Sequence, residues 1–468
     1  MKQFLAPIVA IVAILCCMTS LSFSQAVEGK LLGTWSDSTL VASNAHDNTY
    51  NEVWGLEVNE REFAVIGTTL GTHIIDVTDP AIPTELFVVE GGSIGPAIIH
   101  RDFHDYKGYL YSIADEGSNT SLQIIDISTL PDSITVVYNS SVYFSRSHNI
   151  FIDTAKARLY SLISNGTSIN FSPMRIFDIS NPIDPQPIGS YDRFGNKLIS
   201  QVHDAFVRND TAYLNLGPNG FAIVNFDNLD TPNVISVLEK SEYPQPGYNH
   251  SGWLTDNGDY YYMADETYES DIKVLDLRDL PDIYIPNTFN AESTDSSITH
   301  NQIVHNDKLY VSYYFDGLQV FDISDPENPV REMYYDTSTE APGPGRYRGA
   351  WGVYPFLSSG NILVSDMQNG LFVIDGKTPI VDVEDIHLNS DVLVYPNPSK
   401  DLFHFDLSKL DELPVQIIIF DVNGRVVNST ISNDLELTID LSRYSNGLYN
   451  AIITSEKYHI SKRLIKIN

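Results

Sequence analysis

One short pattern recurs along the chain about every fifty residues, and it constrains the fold more than any other feature. The pattern is an apolar pair, an aspartate, a further apolar residue and then a turn rich in Ser, Thr, Asn, Asp and Pro, as in residues 75–80 and 321–326. Internal repeats of this period are typical of propellers and solenoids. The central polar residues of the seven copies are Asp76, Asp126, Asp178, Asn225, Asp276, Asp322 and Asp375.

Each repeat contains several short runs of β-branched and aromatic residues separated by Gly, Asn, Asp and Pro. Residues 308–323, for example, have the pattern of a β-hairpin. A unit of this length with four short strands has the size of one propeller blade. The sequence therefore predicts an all-β fold, with a seven-bladed β-propeller over residues 25–378. A β-solenoid is the alternative, although its turns would be shorter and more regular.

The two ends of the repeat region predict how the ring closes. The last repeat stops near residue 375 without a fourth strand, whereas a strand-like run at residues 30–35 precedes the first repeat. Pairing the two removes two exposed sheet edges. We therefore expect residues 30–35 to pair with residues 371–375.

The N-terminal residues predict export. A basic start precedes an apolar run at residues 8–18 that is too short to span a bilayer. The small residues Ser22 and Ser24 then predict signal-peptidase cleavage before Gln25, so residues 1–24 read as a signal peptide. An uncleaved membrane anchor is the alternative, and no other transmembrane segment is expected.

Composition excludes several functions. Both cysteines, Cys16 and Cys17, lie in the predicted signal peptide, so the mature chain offers no disulfide, thiolate metal site or cysteine nucleophile. With 61 acidic and 28 basic residues the formal charge is −33, which repels nucleic acid and attracts divalent cations. Phosphate-binding glycine loops, nucleophile elbows and HExxH motifs are absent from the sequence, so catalytic residues stay unknown.

The last part of the chain has a different pattern. After an acidic linker at residues 379–391, residues 392–468 predict a small Ig-like β-sandwich. This segment resembles the type A sorting domain of the Bacteroidetes type IX secretion system, through YPNP, DVNGR, NGLY and a basic ending. An ordinary accessory sandwich is the alternative. These motifs occupy residues 395–398, 421–425, 446–449 and 461–467.

The resemblance of the tail implies a route and partners. It implies passage through the type IX secretion machinery to the outer cell surface after a Sec signal peptide. It also implies removal of the tail by a sortase-like protease, followed by attachment to surface lipopolysaccharide or release.

The repeat region resembles the LVIVD-repeat, "choice-of-anchor B" family of secreted bacterial proteins across residues 26–378. This resemblance implies a propeller fold and an extracellular location, and it implies no reaction. The motifs that carry it lie at residues 74–80, 250–253, 264–266, 320–329 and 349–355.

Histidines recur just before the first strand of successive repeats. First strands line the central channel of a propeller, so these side chains are expected to converge on one mouth. His104 is expected to face the same way as His100 because it lies four residues further along an extended strand. Trp54 and Trp351 occupy the corresponding place in the first and last repeats. The recurrent histidines are His100, His148, His203, His250 and His300.

These residues predict a binding site. We expect a ligand to contact the recurrent histidines with His104, Trp54 and Trp351, or a Zn, Cu or Ca ion to be bound. Arg101 and Arg348 flank the region and offer a second way to bind, namely to a carboxylate or acidic sugar. A purely structural role for each histidine is the alternative. The predicted metal ligands are His148, His203, His250, His300, Asp265 and Glu266.

The leading functional hypothesis is therefore a secreted, surface-displayed binding or scaffold propeller for an unknown extracellular ligand. A metal-dependent extracellular hydrolase or lyase that uses the same histidines is the enzymatic alternative. A structural surface protein is the third.

Overall fold

The computed structural model describes most of the chain outside the predicted signal peptide and linker. The chain divides into two compact units, Met1–Thr378 and Pro379–Asn468. In the described part, the structure contains strands and a single turn of 3₁₀ helix at Lys240–Glu242, and no helix is long and apolar enough to cross a membrane. The described residues are 26–377 without 118, 144, 167–169, 293–297, 339, 341–342 and 344–345, and 392–467 without 411–412, 422–424 and 456–458.

The N-terminal unit is built from short strands whose runs of β-branched and aromatic residues are bounded by turn residues. Its strands are β1 (Val27–Glu28), β2 (Lys30–Trp35), β3 (Tyr50–Val58), β4 (Arg61–Thr68), β5 (Gly71–Asp76), β6 (Thr84–Glu90), β7 (Arg101–Tyr106), β8 (Tyr109–Ala114), β9 (Leu122–Asp126), β10 (Thr135–Ser140), β11 (Asn149–Asp153), β12 (Arg158–Ser164), β13 (Ser172–Asp178), β14 (Gln186–Tyr191), β15 (Arg193–Phe194), β16 (Lys197–Leu198), β17 (Asp204–Arg208), β18 (Thr211–Asn215), β19 (Phe221–Asn225), β20 (Asn233–Leu238), β21 (Asn249–Leu254), β22 (Tyr260–Asp265), β23 (Ile272–Asp276), β24 (Tyr284–Phe289), β25 (Gln302–His305), β26 (Lys308–Ser312), β27 (Leu318–Asp322), β28 (Val330–Tyr335), β29 (Ala350–Tyr354), β30 (Asn361–Asp366) and β31 (Gly370–Asp375).

Most of these strands form seven sheets, each built on four antiparallel strands that follow chain order in six of the seven. The first six sheets are β3–β6, β7–β10, β11–β14, β17–β20, β21–β24 and β25–β28, and the last combines β29–β31 with β2. In that last sheet Lys30 pairs with Asp375 and Trp35 with Leu371, which confirms the expected closure. Strand β1 adds a parallel edge to β28, with Val27 opposite Met333, which the sequence did not indicate.

The first strands of the seven sheets contact one another in a closed cycle that runs β3, β7, β11, β17, β21, β25, β29 and back to β3. This is the arrangement of a β-propeller, in which first strands line a central channel. Hydrophobic side chains fill the spaces between neighbouring sheets. Leu162 and Ile176 of one sheet, for example, share a buried cluster with Val207 and Leu214 of the next.

The polar residue at the centre of each repeat ends a third strand and forms a turn. The side-chain oxygen of Asp76 accepts a hydrogen bond from the backbone N–H of Thr78 at 3.0 Å, and Asn225 accepts one from Asp227 at the same distance. An amide oxygen serves this turn as well as a carboxylate, which explains the one Asn. The same bond forms at Asp126, Asp178, Asp276, Asp322 and Asp375, so the central polar residue forms a turn in all seven copies.

The C-terminal unit consists of two antiparallel sheets around one hydrophobic core that includes Phe403, Ile417 and Ile453. Two antiparallel strands, Val415–Asp421 and Val426–Ser432, pair on either side of the DVNGR motif, whose residues 422–424 lie outside the described residues. The sheets are β32-β33-β36 and β35-β34-β37-β38, formed by β32 (Leu393–Tyr395), β33 (Leu402–Asp406), β34 (Val415–Asp421), β35 (Val426–Ser432), β36 (Glu436–Asp440), β37 (Gly447–Thr454) and β38 (His459–Lys466).

Candidate ligand-binding site at the mouth of the channel

Six aromatic side chains form a closed ring where the first strands begin. Neighbouring ring centroids are 4.2–4.6 Å apart, except between Trp351 and His100, where the distance is 5.5 Å. The first sheet lies between these two residues and contributes no member. The members of this histidine ring, in order, are His100, His148, His203, His250, His300 and Trp351.

Backbone carbonyls fix the orientation of two imidazoles. His203 Nδ1 lies 3.1 Å from the carbonyl oxygen of His250, and His300 Nδ1 lies 2.6 Å from that of Trp351. A carbonyl can only accept, so Nδ1 carries the proton in both residues. Their Nε2 atoms are therefore acceptors when the imidazole is neutral.

His148 differs from the other members because it has a carboxylate partner. Its Nδ1 lies 2.8 Å from Asp115 Oδ2, and its Nε2 lies 2.7 Å from the Nε2 of His203. Burial alone would lower the pKa of His148, but the hydrogen bond to Asp115 and the negative charge of that carboxylate outweigh burial and raise it. His148 is therefore the member that carries a positive charge most readily.

The remaining histidines are held neutral. Burial, reinforced by repulsion from neighbouring imidazoles, lowers the pKa of His100, His203 and His250 well below the usual value. Burial likewise lowers the pKa of His300 to about 3. Neutral imidazoles can accept hydrogen bonds and bind metal ions, which charged ones cannot.

Glu266 brings a carboxylate to the ring. Its Oε1 accepts a hydrogen bond from the Tyr314 hydroxyl at 2.5 Å, and its Oε2 lies 3.9 Å from His250 Nε2. Burial raises the pKa of Glu266 to about 7. Tyr314 has a backbone φ of +41°, a strained value for a bulky residue that is often found at functional sites.

The histidine ring borders a pocket of about 90 Å³. His100 and Trp351 are only 5% and 8% exposed, yet His100 Nδ1 and Trp351 Nε1 have no hydrogen-bond partner in the described part of the chain. Buried polar atoms without a partner are rare in native proteins. Besides the ring, the pocket is lined by Asn149, Asp204, Glu266 and Asn301.

Asp204, which lines this pocket, also lines a second pocket together with the buried residues Glu52 and Asp102. These three residues form a carboxylate layer along the channel. Burial raises the pKa of Asp102 to about 7 and that of Asp204 to about 6, and it raises the pKa of Glu52 well above the usual value. Glu52 Oε2 accepts a hydrogen bond from the Asn301 amide at 2.7 Å. Within the described residues, no Lys or Arg forms an ion pair with this carboxylate layer.

The residues of the carboxylate layer are not among the site residues predicted from the sequence. A weak signal was present, because an Asp or Asn directly follows the ring histidine in three repeats, as Asn149, Asp204 and Asn301. Acidic residues are usually solvated, so the pattern alone does not predict burial.

Two of the predicted site residues lie at a different level of the channel. The ring centroid of His104 is 4.5 Å from that of Trp54 and 5.3 Å from that of Phe151. These side chains belong to a second closed cycle of aromatic residues, the aromatic collar, and not to the histidine ring. The collar consists of Trp54, His104, Phe151, Phe206, Trp253, Phe356 and Tyr354.

Both predicted arginines are engaged outside the pocket. Arg101 is buried, and its guanidinium donates to the carbonyl oxygens of Thr68 at 2.7 Å and Ser93 at 3.0 Å. Arg348 forms ion pairs with Glu340 and, at 3.1 Å, with Asp47. Neither guanidinium is available there for a carboxylate or an acidic sugar.

Asp265 is likewise a structural residue in this arrangement. It is fully buried, pairs with the buried Lys273 at 3.2 Å and accepts a hydrogen bond from the Gly247 N–H at 2.6 Å. Consecutive residues of a strand point to opposite faces, so Asp265 points away from the pocket that Glu266 lines. The structure therefore places five of the six predicted metal ligands at the ring.

The comparisons with known proteins concern the two units separately. A family model described as a secretion system C-terminal sorting domain matches residues 393–468. This match supports the resemblance of the C-terminal unit to a type IX sorting domain. It implies secretion through the type IX system and export to the cell surface.

The other comparisons add little. No curated protein matches the chain. Among solved structures, the crystal structure of RRP9 WD40 repeats is similar over 75% of this chain and 99% of that chain, with 9% sequence identity and a TM-score of 0.49.

Proposed function

We propose that this protein is a surface-displayed binding protein, exported by the type IX system, whose N-terminal unit binds a small ligand at the histidine ring. In this proposal the seven sheets are the seven blades of an LVIVD-type propeller that follows a cleaved signal peptide. The sorting unit is an Ig-like sandwich. A protease of the export system removes it before the protein is anchored to lipopolysaccharide or released.

The closed histidine ring is the observation that carries the proposal. Five imidazoles from five consecutive sheets meet at one mouth of the channel. A structural role for one histidine needs only local hydrogen bonds. Five histidines in a row, each in contact with the next and four of them held neutral, form instead a surface rich in nitrogen acceptors.

The unpaired nitrogens of His100 and Trp351 support the same conclusion. A buried polar atom that lacks a partner costs about 1–3 kcal/mol. A molecule in the pocket would supply those partners. Because the pocket also borders Glu266 and Asp204, it can combine acceptors with the donor that the Trp351 Nε1–H offers.

A thermal-shift screen of the purified full-length chain tests the binding proposal. The probes are Zn²⁺, Ca²⁺, inorganic phosphate and galacturonate. We expect at least one probe to raise the melting temperature, and a His100→Ala, His203→Ala double variant to lose any shift that phosphate or galacturonate gives. His305→Ala, whose imidazole packs on Phe356 in the collar, is the matched control and should keep it. A screen without any shift, or a phosphate or galacturonate shift that survives in the double variant, would contradict the proposal.

Export is tested separately on cells that produce the protein. The intact mass of the surface or supernatant form should correspond to a chain that begins at Gln25 and lacks residues 462–468. A secreted form that retains those residues would contradict removal of the sorting unit.

A further inference from the structure

We propose that His250, His300 and Glu266 bind one divalent transition-metal ion at the rim of the histidine ring. This inference deepens the proposed function and rests on it, since the metal ion would be the ligand or part of the ligand site. His250 lies near the start of β21, and Glu266 directly follows β22 of the same sheet. His300 lies just before β25, the first strand of the next sheet.

The donor atoms are already close together. One donor atom from each of the three residues lies within 4.8 Å of the other two. In a tetrahedral site with bonds of 2.0–2.1 Å, donor atoms are about 3.4 Å apart. Side-chain rotations that move each atom by about 1 Å therefore complete the site. Among the described residues Asp265 belongs to no such group, and its carboxylate forms an ion pair with Lys273.

Two of the three ligands have the supporting hydrogen bonds that a metal site requires, whereas His250 Nδ1 has no partner in the described part of the chain. Ligating histidines usually donate their second N–H to a carbonyl, and ligating carboxylates accept a further hydrogen bond. His300 Nδ1 donates to the Trp351 carbonyl at 2.6 Å, which leaves Nε2 for the ion. Tyr314 donates to Glu266 Oε1 at 2.5 Å, which leaves Oε2 on the side of His250.

The donor set indicates the class of ion. Two imidazoles and one carboxylate suit Zn²⁺, Cu²⁺, Ni²⁺ or Fe²⁺, whereas Ca²⁺ requires six to eight oxygen ligands. Three protein ligands leave a fourth position open to the 90 Å³ pocket. A substrate, inhibitor or water molecule could occupy that position.

The strain at Tyr314 is consistent with this arrangement. Its left-handed backbone is held because its carbonyl accepts hydrogen bonds from Gly317 N–H at 3.0 Å and Ala350 N–H at 2.8 Å. The conformation places the hydroxyl on Glu266 and the ring 4.9 Å from that of His300. One strained residue thus positions two of the three ligands.

The test measures metal binding to the purified full-length chain after removal of metal with EDTA. Isothermal titration with Zn²⁺ should give one ion per chain, and Co²⁺ should give the visible absorbance of a four- or five-coordinate ion. His250→Ala, His300→Ala and Glu266→Gln should each weaken Zn²⁺ binding at least about 100-fold, beyond the 10- to 100-fold effect of an outer partner. Tyr314→Phe should weaken it about 10-fold while keeping the fold.

Two controls keep the outcome interpretable. His305 is the last residue of β25, the strand that follows His300, and its ring packs against Phe356 of the collar. The His305→Ala variant should therefore bind Zn²⁺ as the unmodified chain does. A chain that takes up no stoichiometric Zn²⁺, or triad variants with unchanged affinity, would overturn the metal site. If Zn²⁺ binding fails in either of these ways, but phosphate or galacturonate gives a melting-temperature shift that requires His100 and His203, the metal inference is wrong and the binding proposal stands.

Discussion

The Nε2 atoms of His148 and His203 lie 2.7 Å apart. Two imidazole nitrogens at this distance share one proton, so one must donate and the other accept. His203 donates its Nδ1 proton to the carbonyl of His250, which makes its Nε2 the acceptor. His148 therefore donates from both nitrogens, to Asp115 and to His203, and is an imidazolium. The mouth of the channel thus contains one fixed positive charge beside four neutral imidazoles.

The charge on His148 depends on Asp115. In Asp115→Asn the carboxylate that raises the pKa of His148 is lost, and burial then dominates as it does for His203. We predict that the pKa of His148 moves from above 6.5 to below it. A pH titration of ¹³C-labelled histidine resonances measures this change. Asp105→Asn, next to the collar, is the control. An identical His148 titration in the unmodified chain and in both variants would show that the charge on His148 does not depend on Asp115.

The carboxylate layer should make folding stability depend on pH. Folded Asp102 keeps its proton up to about pH 7, whereas the unfolded chain releases it near about 3.9. Between these values the folded state binds more protons, so Asp102 makes stability fall as the pH rises.

Asp102→Asn cannot ionise, and its amide oxygen can still accept the hydrogen bond from Ile150 N–H that Asp102 accepts at 2.7 Å. We predict that the variant loses this part of the decline, at most about 1.4 kcal/mol per pH unit. Urea unfolding between pH 4 and 7 measures the difference. Asp126→Asn, in an exposed turn, should behave as the unmodified chain. Parallel stability curves for the Asp102 variant would show that the buried carboxyl is ionised throughout.

Gly352 leaves the space that the side chain of Glu52 occupies. A Cβ atom at position 352 would lie 1.9 Å from Glu52 Oε1 and 3.0 Å from the backbone nitrogen of Val53. We predict that Gly352→Ala costs about 1–3 kcal/mol of folding stability because Glu52 must move. The same substitution should cost at least about 1 kcal/mol less in a Glu52→Ala background. Additive effects in urea unfolding would mean that the two residues do not compete for this space.

The N-terminal strand β2 closes the last sheet, so its removal should destabilise the whole N-terminal unit. Leu32 and Trp35 pack against the core between the first and last sheets. We predict that deletion of residues 1–35 lowers stability by at least about 3 kcal/mol relative to deletion of residues 1–28. The shorter deletion removes only the edge strand β1. Equal melting temperatures for the two truncations would contradict the closure.

Much of this fold was predictable because the repeat marks the same structural position in every sheet. The central Asp or Asn ends the third strand, and two strand-like runs precede it. The spacing of the histidines before the first strand likewise predicted that their side chains converge. Both predictions depend on local features that recur from repeat to repeat. The first depends on the turn after the third strand, and the second on the position of the histidine relative to the first strand.

The errors at the site have equally local causes. Arg101 and Asp265 lie one residue away from ring or pocket residues, and the alternation of a strand turns such neighbours to the opposite face. His104 faces the channel, but four residues of strand carry it about 13 Å from His100, to the level of the collar. The position of Glu52 over Gly352 could not be predicted, because it depends on contact between the first and last sheets.

A crystal structure of the full-length protein grown with Zn²⁺, with anomalous data collected above and below the zinc absorption edge, would locate the bound ion. We predict one strong anomalous peak in the pocket, about 2.0–2.1 Å from a nitrogen of His250, a nitrogen of His300 and an oxygen of Glu266. A pocket without an anomalous peak, with the His250 and His300 imidazoles hydrogen-bonded only to protein and water, would contradict it.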